Sequence, residues 1–357
     1  MIIIGCDFHT RMQAIAMLDT ETGEVVEKRL DHESGEAKAF YEGLKEPALV
    51  GIETTGYTRW FREMLQELGH QLIVGEAAKI RASETRKQKH DRRDAEHILN
   101  LLVKGDFPKV WLPPAAERDV RVFIEHRHQL VELRTRAQNG LQAMALGYGL
   151  RRRGRLWSKA GQEELQKIPL REGMGRRRED LLQLVRQLST WIKELDQRIE
   201  EEVARREDAQ RLMTHPGVGP QTALATVLVL GPVERFPDDR HLTSYLGLIP
   251  EEESSARRQR FGHLTKQGNR LMRFLLVEAA GIATRYDAGL GRTYRRLAFR
   301  KGAAIAKVAI ARKLAIRLYI MLRDGIDYEE FCRRGPVPNG AGRRGSHAGM
   351  LGDVALA

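Results

Sequence analysis

Four acidic residues stand where carboxylates do chemistry in α/β proteins: Asp7, Glu53, Asp91 and Asp94. Asp7 and Glu53 each follow a short apolar run typical of a buried strand, where an ionised acid is costly unless it faces a cation or an open cleft. Asp91 and Asp94 are three residues apart at the start of a predicted helix, so their side chains point to one face. Such carboxylates can hold two divalent ions, Mg²⁺ or Mn²⁺, about 4 Å apart against a phosphodiester.

Each acid also has a structural interpretation. Asp91 would serve as a helix N-cap, Asp94 would complement the helix dipole, and Glu53 would open a turn. The neighbouring histidines have the spacing of no established zinc motif. Together the four acids are explained better by one metal site than by four separate structural roles.

The elements that must position these acids are predicted by alternating strand and helix patterns. The strands are residues 2–7, 13–18, 25–30, 48–52 and 71–74, and the helices are residues 34–44, 57–68, 77–85 and 91–103. This order is that of the ribonuclease-H-like (RuvC-like) fold, an α/β sheet covered by helices. There the first and fourth strands are neighbours and the last helix packs across them, which would bring the acids together.

The rest of the chain is predicted to be mainly helical. We expect a metal-binding domain at residues 1–110, a helical linker and coiled coil at 111–211, a C-terminal domain at 212–331 and a disordered tail at 332–357. An apolar stripe at spacings of three and four indicates a coiled coil or one arm of a helical hairpin, and a long helix packed within its own domain explains it equally well. The stripe consists of Leu181, Leu184, Leu188, Trp191, Leu195, Ile199 and Val203.

The net charge of +12 is concentrated late in the chain, because residues 257–317 hold 16 Lys and Arg against 2 acidic residues. This asymmetry predicts a nucleic-acid partner, and the alternative is a solvated basic helical surface. The two cysteines give no disulfide framework, which suits a reducing cytoplasm. No apolar run approaches the roughly 20 residues that span a bilayer, and no signal peptide is evident, so we expect a cytoplasmic protein without membrane contact.

Motifs in both halves of the chain resemble the DEDD transposases of insertion-sequence family 110. The acidic motifs are GCDFH at residues 5–9, GIETTGY at 51–57 and DRRDA at 91–95. The later motifs are PGVG at 216–219, RF at 235–236, YLGLIP at 245–250 and GHLTKQGN at 262–269. Each motif alone is weak, but their order and spacing are specific from residue 1 to about residue 320.

The resemblance implies a RuvC-like domain joined through a coiled coil to a domain with a nucleophilic serine. It implies a recombinase guided by a structured bridge RNA that pairs with donor and target DNA. It further implies a homo-oligomer, dimer or tetramer, in which the acids of one subunit act with the serine of another. Carried over by motif, the serine is Ser255, but the family has Ser-Gly where this chain has Ser255-Ala256, so Ser254 stays a second candidate.

Attack by a serine on DNA would leave a covalent phosphodiester that conserves bond energy, so strands could be exchanged and resealed without ATP. No Ser–His–Asp spacing that could supply a general base is evident. Metal ions held by the acids would activate the serine instead. Basic residues around the serine could clamp the phosphate backbone. They are Arg257, Arg258, Arg260, Lys266, Arg270 and Arg273. The PGVG turn resembles a helix-hairpin-helix, although an ordinary helix connection explains it too.

Two other functions fit the same residues. A RuvC-type junction nuclease would use the acids and water, and the serine would be incidental. A non-catalytic scaffold that binds RNA or DNA would need only the basic half. A covalent protein–DNA adduct separates the recombinase from both.

Overall fold

The structure is a computed structural model that describes residues 1–84, 91–151, 155–252 and 261–335, except for the side chains of Asp91, Glu252 and Phe261. The chain divides into two compact units, Met1–Leu112 and Pro113–Ala357. The first is a mixed α/β unit and the second is mainly helical. None of the described helices combines the length and the apolar character that crossing a membrane requires.

The first unit follows the predicted order of strands and helices to within two residues at each end. Its strands are β1 (Ile2–Phe8), β2 (Met12–Asp19), β3 (Val25–Asp31), β4 (Ala48–Glu53) and β5 (Gln71–Gly75). Its helices are α1 (Glu36–Glu42), α2 (Arg59–Glu67), α3 (Ala77–Ser83) and α4 (Asp91–Lys104). The sheet order is β3-β2-β1-β4-β5, with β1 antiparallel to β2 and parallel to β4. The prediction that the first and fourth strands are neighbours is therefore confirmed.

The two faces of this sheet are covered differently. One face carries alternate residues of β1 and β4, including Ile4 and Ile52, and packs against Tyr41 of α1 and Phe61 of α2. The other face packs against α4, where Ile3 joins alanine and leucine side chains of that helix. Side chains of a strand alternate between faces, so each residue of β1 is assigned to one of these two layers.

The second unit begins with a hairpin of long helices. Its elements are α5 (Ala115–Gly147), α6 (Lys159–Lys167), α7 (Glu172–Ala204), α8 (Glu207–Met213), α9 (Pro220–Leu230), a 3₁₀ turn (Val233–Arg235), α10 (Asp239–Tyr245), β6 (Pro250–Glu252), β7 (Phe261–Leu264), α11 (Arg270–Tyr286), α12 (Ala288–Lys301), α13 (Ala303–Asp324) and α14 (Tyr328–Arg333). The predicted disordered tail starts inside α14, and residues 336–357 lie outside the described ranges.

The apolar stripe on α7 packs mainly against α5 of the same chain. The two helices are antiparallel, since Arg127 Nε donates to Asp196 Oδ1 at 2.9 Å near one end and Gly140 lies against Leu181 near the other. Leu184 and Trp191 of the stripe keep 44% of their surface exposed. The pattern therefore reflects a helical hairpin within the chain, and an intermolecular coiled coil stays a prediction.

The core of the second unit is centred on α9, whose residues from Thr222 to Leu230 are all buried. Helices α5, α7, α8 and α11 contact it, and α11 and α13 contribute Leu276, Ala280 and Leu314 to the same apolar cluster. Because α9 is enclosed on all sides, the elements before and after it are anchored to one common core.

Candidate active site

Asp7 and Glu53 lie at adjacent positions on neighbouring strands. The parallel register of β1 and β4 pairs Gly5 with Gly51 and Cys6 with Ile52, so the next residue of each strand is one of the two acids. Cys6 and Ile52 point into the core on the α1–α2 face, and the acids therefore point to the face covered by α4. The sequence placed both acids at strand ends, and the register now places them side by side.

Helix α4 sits on this face because two strand residues lack a side chain. A Cβ on Gly5 would lie 2.3 Å from the carbonyl oxygen of Ala95 and 2.3 Å from the amide nitrogen of Leu99. A Cβ on Gly51 would lie 2.8 Å from the Leu102 side chain. Since Ala95 directly follows Asp94, the first turns of α4 lie on the same face of the sheet as Asp7 and Glu53. The predicted packing of the last helix across the first and fourth strands is confirmed.

Both strand acids are held by a neighbouring basic side chain. The Asp7 side chain is 15% exposed, and His9 Nε2 donates to its Oδ2 at 3.0 Å. The Glu53 side chain is 32% exposed, and Arg81 Nη2 of α3 donates to its Oε1 at 2.9 Å. Neither His9 nor Arg81 was predicted as a partner. A basic residue following a strand acid by two positions, as His9 does, is the signal that could have indicated the first pair.

The described acids fit a hard divalent cation by their chemistry. Asp7, Glu53 and Asp94 supply only carboxylate oxygens, the donors that Mg²⁺ and Mn²⁺ prefer. Among the residues whose side chains are described, no group of three or more His, Cys, Asp or Glu is arranged to hold a metal ion. The side chain of the fourth acid, Asp91, lies outside the described part. A metal site here would require His9 and Arg81 to release their carboxylates.

The predicted serine segment lies between two short paired strands. Strands β6 and β7 are antiparallel, with Pro250 opposite Leu264 and Glu252 opposite Phe261. Residues 253–260 connect them and lie outside the described ranges, as do the side chains predicted there. These are Ser254, Ser255, Arg257, Arg258 and Arg260.

The base of this β6–β7 pair is fixed by backbone contact. Gly247 and Gly268 both have positive φ, 63° and 82°. A Cβ on Gly247 would lie 2.0 Å from the carbonyl oxygen of Gln267, and a Cβ on Gly268 would lie 2.0 Å from that of Tyr245. Only glycine permits both the conformation and the approach. The chain entering β6 and the chain leaving β7 are thereby locked together.

Three basic residues predicted to contact phosphate lie in the described part after β7. Arg273 donates from Nη1 to the carbonyl oxygens of Leu246, Gln267 and Gly268 at 3.3, 2.7 and 3.1 Å. Arg273 therefore braces the glycine contact, and burial lowers the pKa of its guanidinium. Lys266 is exposed, and Arg270 is exposed near Glu132 at 3.9 Å. Their contact with phosphate stays a prediction.

A buried charged network stands behind the PGVG turn, and sequence reasoning missed it. Asp287 accepts hydrogen bonds from Tyr328 Oη at 2.6 Å and from the Leu290 amide at 2.6 Å, and it pairs with Arg317. Arg317 Nη1 also lies 3.4 Å from His215 Nε2, while His215 Nδ1 donates to the Pro216 carbonyl at 2.9 Å. The network ties α13 and α14 to the turn. Its members are too far apart in sequence to form a motif.

Burial and partners shift two groups in this network. Burial lowers the pKa of His215 to about 4, so the imidazole is neutral at pH 7. Burial alone would raise the pKa of Asp287, but hydrogen bonds from Tyr328 and Leu290 and the charge of Arg317 outweigh it and lower that pKa to about 2. The network thus holds one compensated ion pair and one neutral histidine.

The PGVG turn itself is a tight connection between α8 and α9. Gly217 has a φ of 88°, and a Cβ there would lie 2.6 Å from the carbonyl oxygen of Ala279 in α11. Pro220 occupies the first turn of α9, where its missing N–H is not needed. This geometry is compatible with a helix-hairpin-helix, and DNA contact by the turn stays a prediction.

Comparison with known proteins places both halves of the chain in one family. A DEDD transposase model of IS110 matches residues 4–149, which include all four acids. A model described as the transposase IS116/IS110/IS902 family matches residues 209–295, which include the serine pair.

Curated relatives named as transposases match this chain over most of their length. A "Probable family 20 transposase" of Pseudomonas aeruginosa is 28% identical over 330 residues, 89% of this chain and 96% of the relative. The transposase for insertion sequence element IS1111A of Coxiella burnetii is 28% identical over 291 residues, 78% of each chain. The transposase for insertion sequence element IS1328 of Yersinia enterocolitica is 25% identical, covering 78% of this chain and 85% of the relative. These matches agree with the two acids side by side beneath α4 and with the serine segment between β6 and β7. The chain is therefore a transposase and belongs to the IS110 family of DEDD transposases.

Proposed function

We propose that this transposase cleaves and exchanges DNA strands through a metal site on a RuvC-like sheet and a covalent serine–DNA intermediate. Membership in the DEDD family implies dependence on a divalent metal. The observation that carries the proposal is the placement of Asp7 and Glu53 at adjacent strand ends beneath α4. The sheet order and the helix across β1 and β4 support the RuvC-like assignment.

The four acids would reach the metal from two kinds of element, strand ends and the start of a helix. Asp7 and Glu53 offer carboxylate oxygens from strand ends, where the sheet fixes the backbone, and Asp91 and Asp94 offer theirs from the start of α4. When bound, Mg²⁺ or Mn²⁺ supplies Lewis-acid stabilisation of the phosphate oxygens. His9 and Arg81 are hydrogen-bonded to Asp7 and Glu53 in the structure as it stands, so their release would accompany ligand binding.

Ser255 is the proposed nucleophile, with Ser254 as the alternative. Its oxygen would form a bond to phosphorus as the bond from phosphorus to a deoxyribose oxygen breaks. The number of phosphoester bonds is unchanged, so the reverse reaction with another strand reseals DNA without ATP. The braced base of the β6–β7 pair supports this role, because a reacting group works best on a rigid support.

Guidance by a bridge RNA and action as a homo-oligomer, dimer or tetramer, complete the proposal. Both come from the family resemblance and from the basic C-terminal half. Mixing Asp7→Asn and Ser255→Ala proteins tests the oligomer directly. Restored strand cleavage in the mixture is expected if acids and serine act from different subunits, and an inactive mixture would contradict that arrangement.

The decisive experiment traps the covalent intermediate. A nicked suicide substrate containing the element end is incubated with Mg²⁺ and the full chain, together with its RNA, and adducts are resolved on denaturing gels. We expect an adduct with the native chain and with Ser254→Ala, and none with Ser255→Ala. An adduct that persists in Ser255→Ala and is lost in Ser254→Ala would reassign the nucleophile.

Cleavage without any adduct would instead support a RuvC-type junction nuclease that uses water. Binding without cleavage by the native chain in Mg²⁺ or Mn²⁺ would support a scaffold that binds RNA or DNA. Both outcomes would overturn the serine mechanism.

A further inference from the structure

Helix α12 presents an outward face made of arginines around one phenylalanine. Its inward side is fixed by Leu290 and Gly291, which are buried, and by Tyr294, which packs against the core. At about 100° per residue, the five exposed side chains from residue 292 to residue 300 fall within an arc of about 140° on the opposite side. They are Arg292, Arg295, Arg296, Phe299 and Arg300. We call this set the α12 face.

The arginines of the α12 face are available for an external ligand. Within the described ranges, none of the four has an ion pair or a side-chain hydrogen bond. Two basic residues on the neighbouring helix differ, because Lys307 pairs with Glu278 at 2.9 Å and Arg317 pairs with Asp287. These two acids are the acidic residues of segment 257–317, so they leave the arginines of the α12 face without a counter-charge from that segment.

Phe299 is the most exposed large apolar side chain in the described part of the chain, at 94%. A phenyl ring has no polar atom that could hydrogen-bond to water, so its full exposure contributes nothing to folding. Around the helix it lies between Arg295 and Arg292, so the face combines an exposed apolar ring with cationic neighbours.

We propose that the α12 face binds an unpaired strand of the DNA substrate. Single-stranded nucleic acid is held by aromatic rings that stack on bases and by basic residues that follow the phosphates, and this face has both. In duplex DNA the base faces are hidden, so Phe299 would have nothing to stack on. Strand exchange by the proposed function supplies unpaired strands, and the inference rests on that function in this one respect.

A second copy of the chain is a poorer occupant. Symmetric docking of the α12 face on itself would bring eight arginines together, and like charges across an interface are unfavourable. The face is about 12 Å long, from eight steps of about 1.5 Å between residues 292 and 300, which also falls short of a stable protein interface.

The test measures binding of fluorescein-labelled single-stranded DNA by anisotropy, in the Ser255→Ala background so that no covalent product forms. Phe299→Ala is expected to weaken binding of the single strand about tenfold and to leave a duplex of the same sequence unchanged. Phe299→Trp should retain binding because it keeps a stacking surface. Ile305→Ala, which removes another exposed apolar side chain outside the face, is the matched control.

The arginines are tested through salt dependence. Arg296→Gln is expected to reduce the slope of log affinity against log salt by about 0.7 for single-stranded DNA. Lys193→Gln, an exposed residue of α7, serves as the control and should leave the slope unchanged.

Three results would overturn the inference. The first is unchanged single-strand DNA binding in Phe299→Ala. The second is a loss confined to RNA of the same sequence, which would assign the face to RNA. The third is a change of molecular mass in light scattering without a change in DNA binding, which would assign it to a second copy. None of these depends on whether the serine adduct forms, so the inference and the proposed function fail separately.

Discussion

Carboxylates in the two units differ in their exposure and in their hydrogen-bond partners. In the second unit Asp287 is 6% exposed and is satisfied by an arginine, a tyrosine hydroxyl and a backbone amide. In the first unit Asp7 and Glu53 are 15% and 32% exposed and meet a histidine and a highly exposed arginine. A carboxylate enclosed by fixed partners serves the fold. A carboxylate at a strand end with a displaceable partner remains available to a ligand.

The largest effect should come from neutralising a strand-end acid. Asp7→Asn keeps the shape of the side chain but removes its charge, and we expect DNA strand cleavage in Mg²⁺ to fall by about 10²–10³-fold with little change in unfolding. Asp106→Asn, an exposed acid of the same unit, should cleave normally. Full cleavage by Asp7→Asn would remove the distinction between the two kinds of carboxylate.

Asp287→Asn should have the opposite effect, a loss of stability with little change in DNA cleavage. It leaves Arg317 partly buried without its counter-charge, so we expect the free energy of unfolding to fall by about 3 kcal/mol. Urea unfolding followed by circular dichroism measures this, with the exposed Asp239→Asn as the control. A variant as stable as the native chain would mean that the network contributes nothing to the fold.

The pH dependence of stability should identify the same network. The folded pKa of His215 is about 4 and its ordinary value is 6.5, so the unfolded chain takes up a proton first as the pH falls. The contribution is fully present above pH 6.5 and decreases as the pH falls toward 4, by about 3 kcal/mol in total. His215→Gln should flatten the stability curve in this window, whereas His126→Gln, an exposed histidine of α5, should not. An unaltered curve in His215→Gln would show that another group titrates there.

The smallest effect concerns the displaceable partner itself. Arg81→Gln removes an exposed ion pair, so stability should hardly change, and the Mg²⁺ concentration for half-maximal cleavage should fall about twofold to fivefold because a competitor is lost. Arg59→Gln is a matched control, since Arg59 pairs with Glu63 at the same 2.9 Å distance and is similarly exposed. A higher Mg²⁺ requirement in Arg81→Gln would mean that Arg81 orients Glu53 for binding.

Local patterns made the first unit predictable. Each strand is a short run with its own ends, and an acid at the end of a buried run stands out without knowledge of the fold. The packing of α4 across β1 and β4 was predicted, but the two glycines that permit it, Gly5 and Gly51, were not, because they become meaningful only once β1 and β4 are paired in register.

The second unit was less predictable for a physical reason. Asp287 meets Arg317 and Tyr328 across 30 and 41 residues, and no periodicity links them. The spacing of the α7 stripe correctly indicated an apolar helical seam, but spacing alone does not say whether the partner helix belongs to the same chain. That choice depends on loop lengths and on the core that α9 builds.

The missing side chain at Gly5, which brings β1 against main-chain atoms of Ala95 and Leu99, has a further consequence. Where two main chains touch directly, no rotamer can change to absorb a displacement, so this joint between helix and sheet is stiff. The distance between Asp94 on α4 and Asp7 on β1 could change only if α4 moved against β1, and this joint resists that movement. A misplacement of about 1 Å can cost a reaction a hundredfold, and main-chain contact is the part of a protein least able to drift by that much.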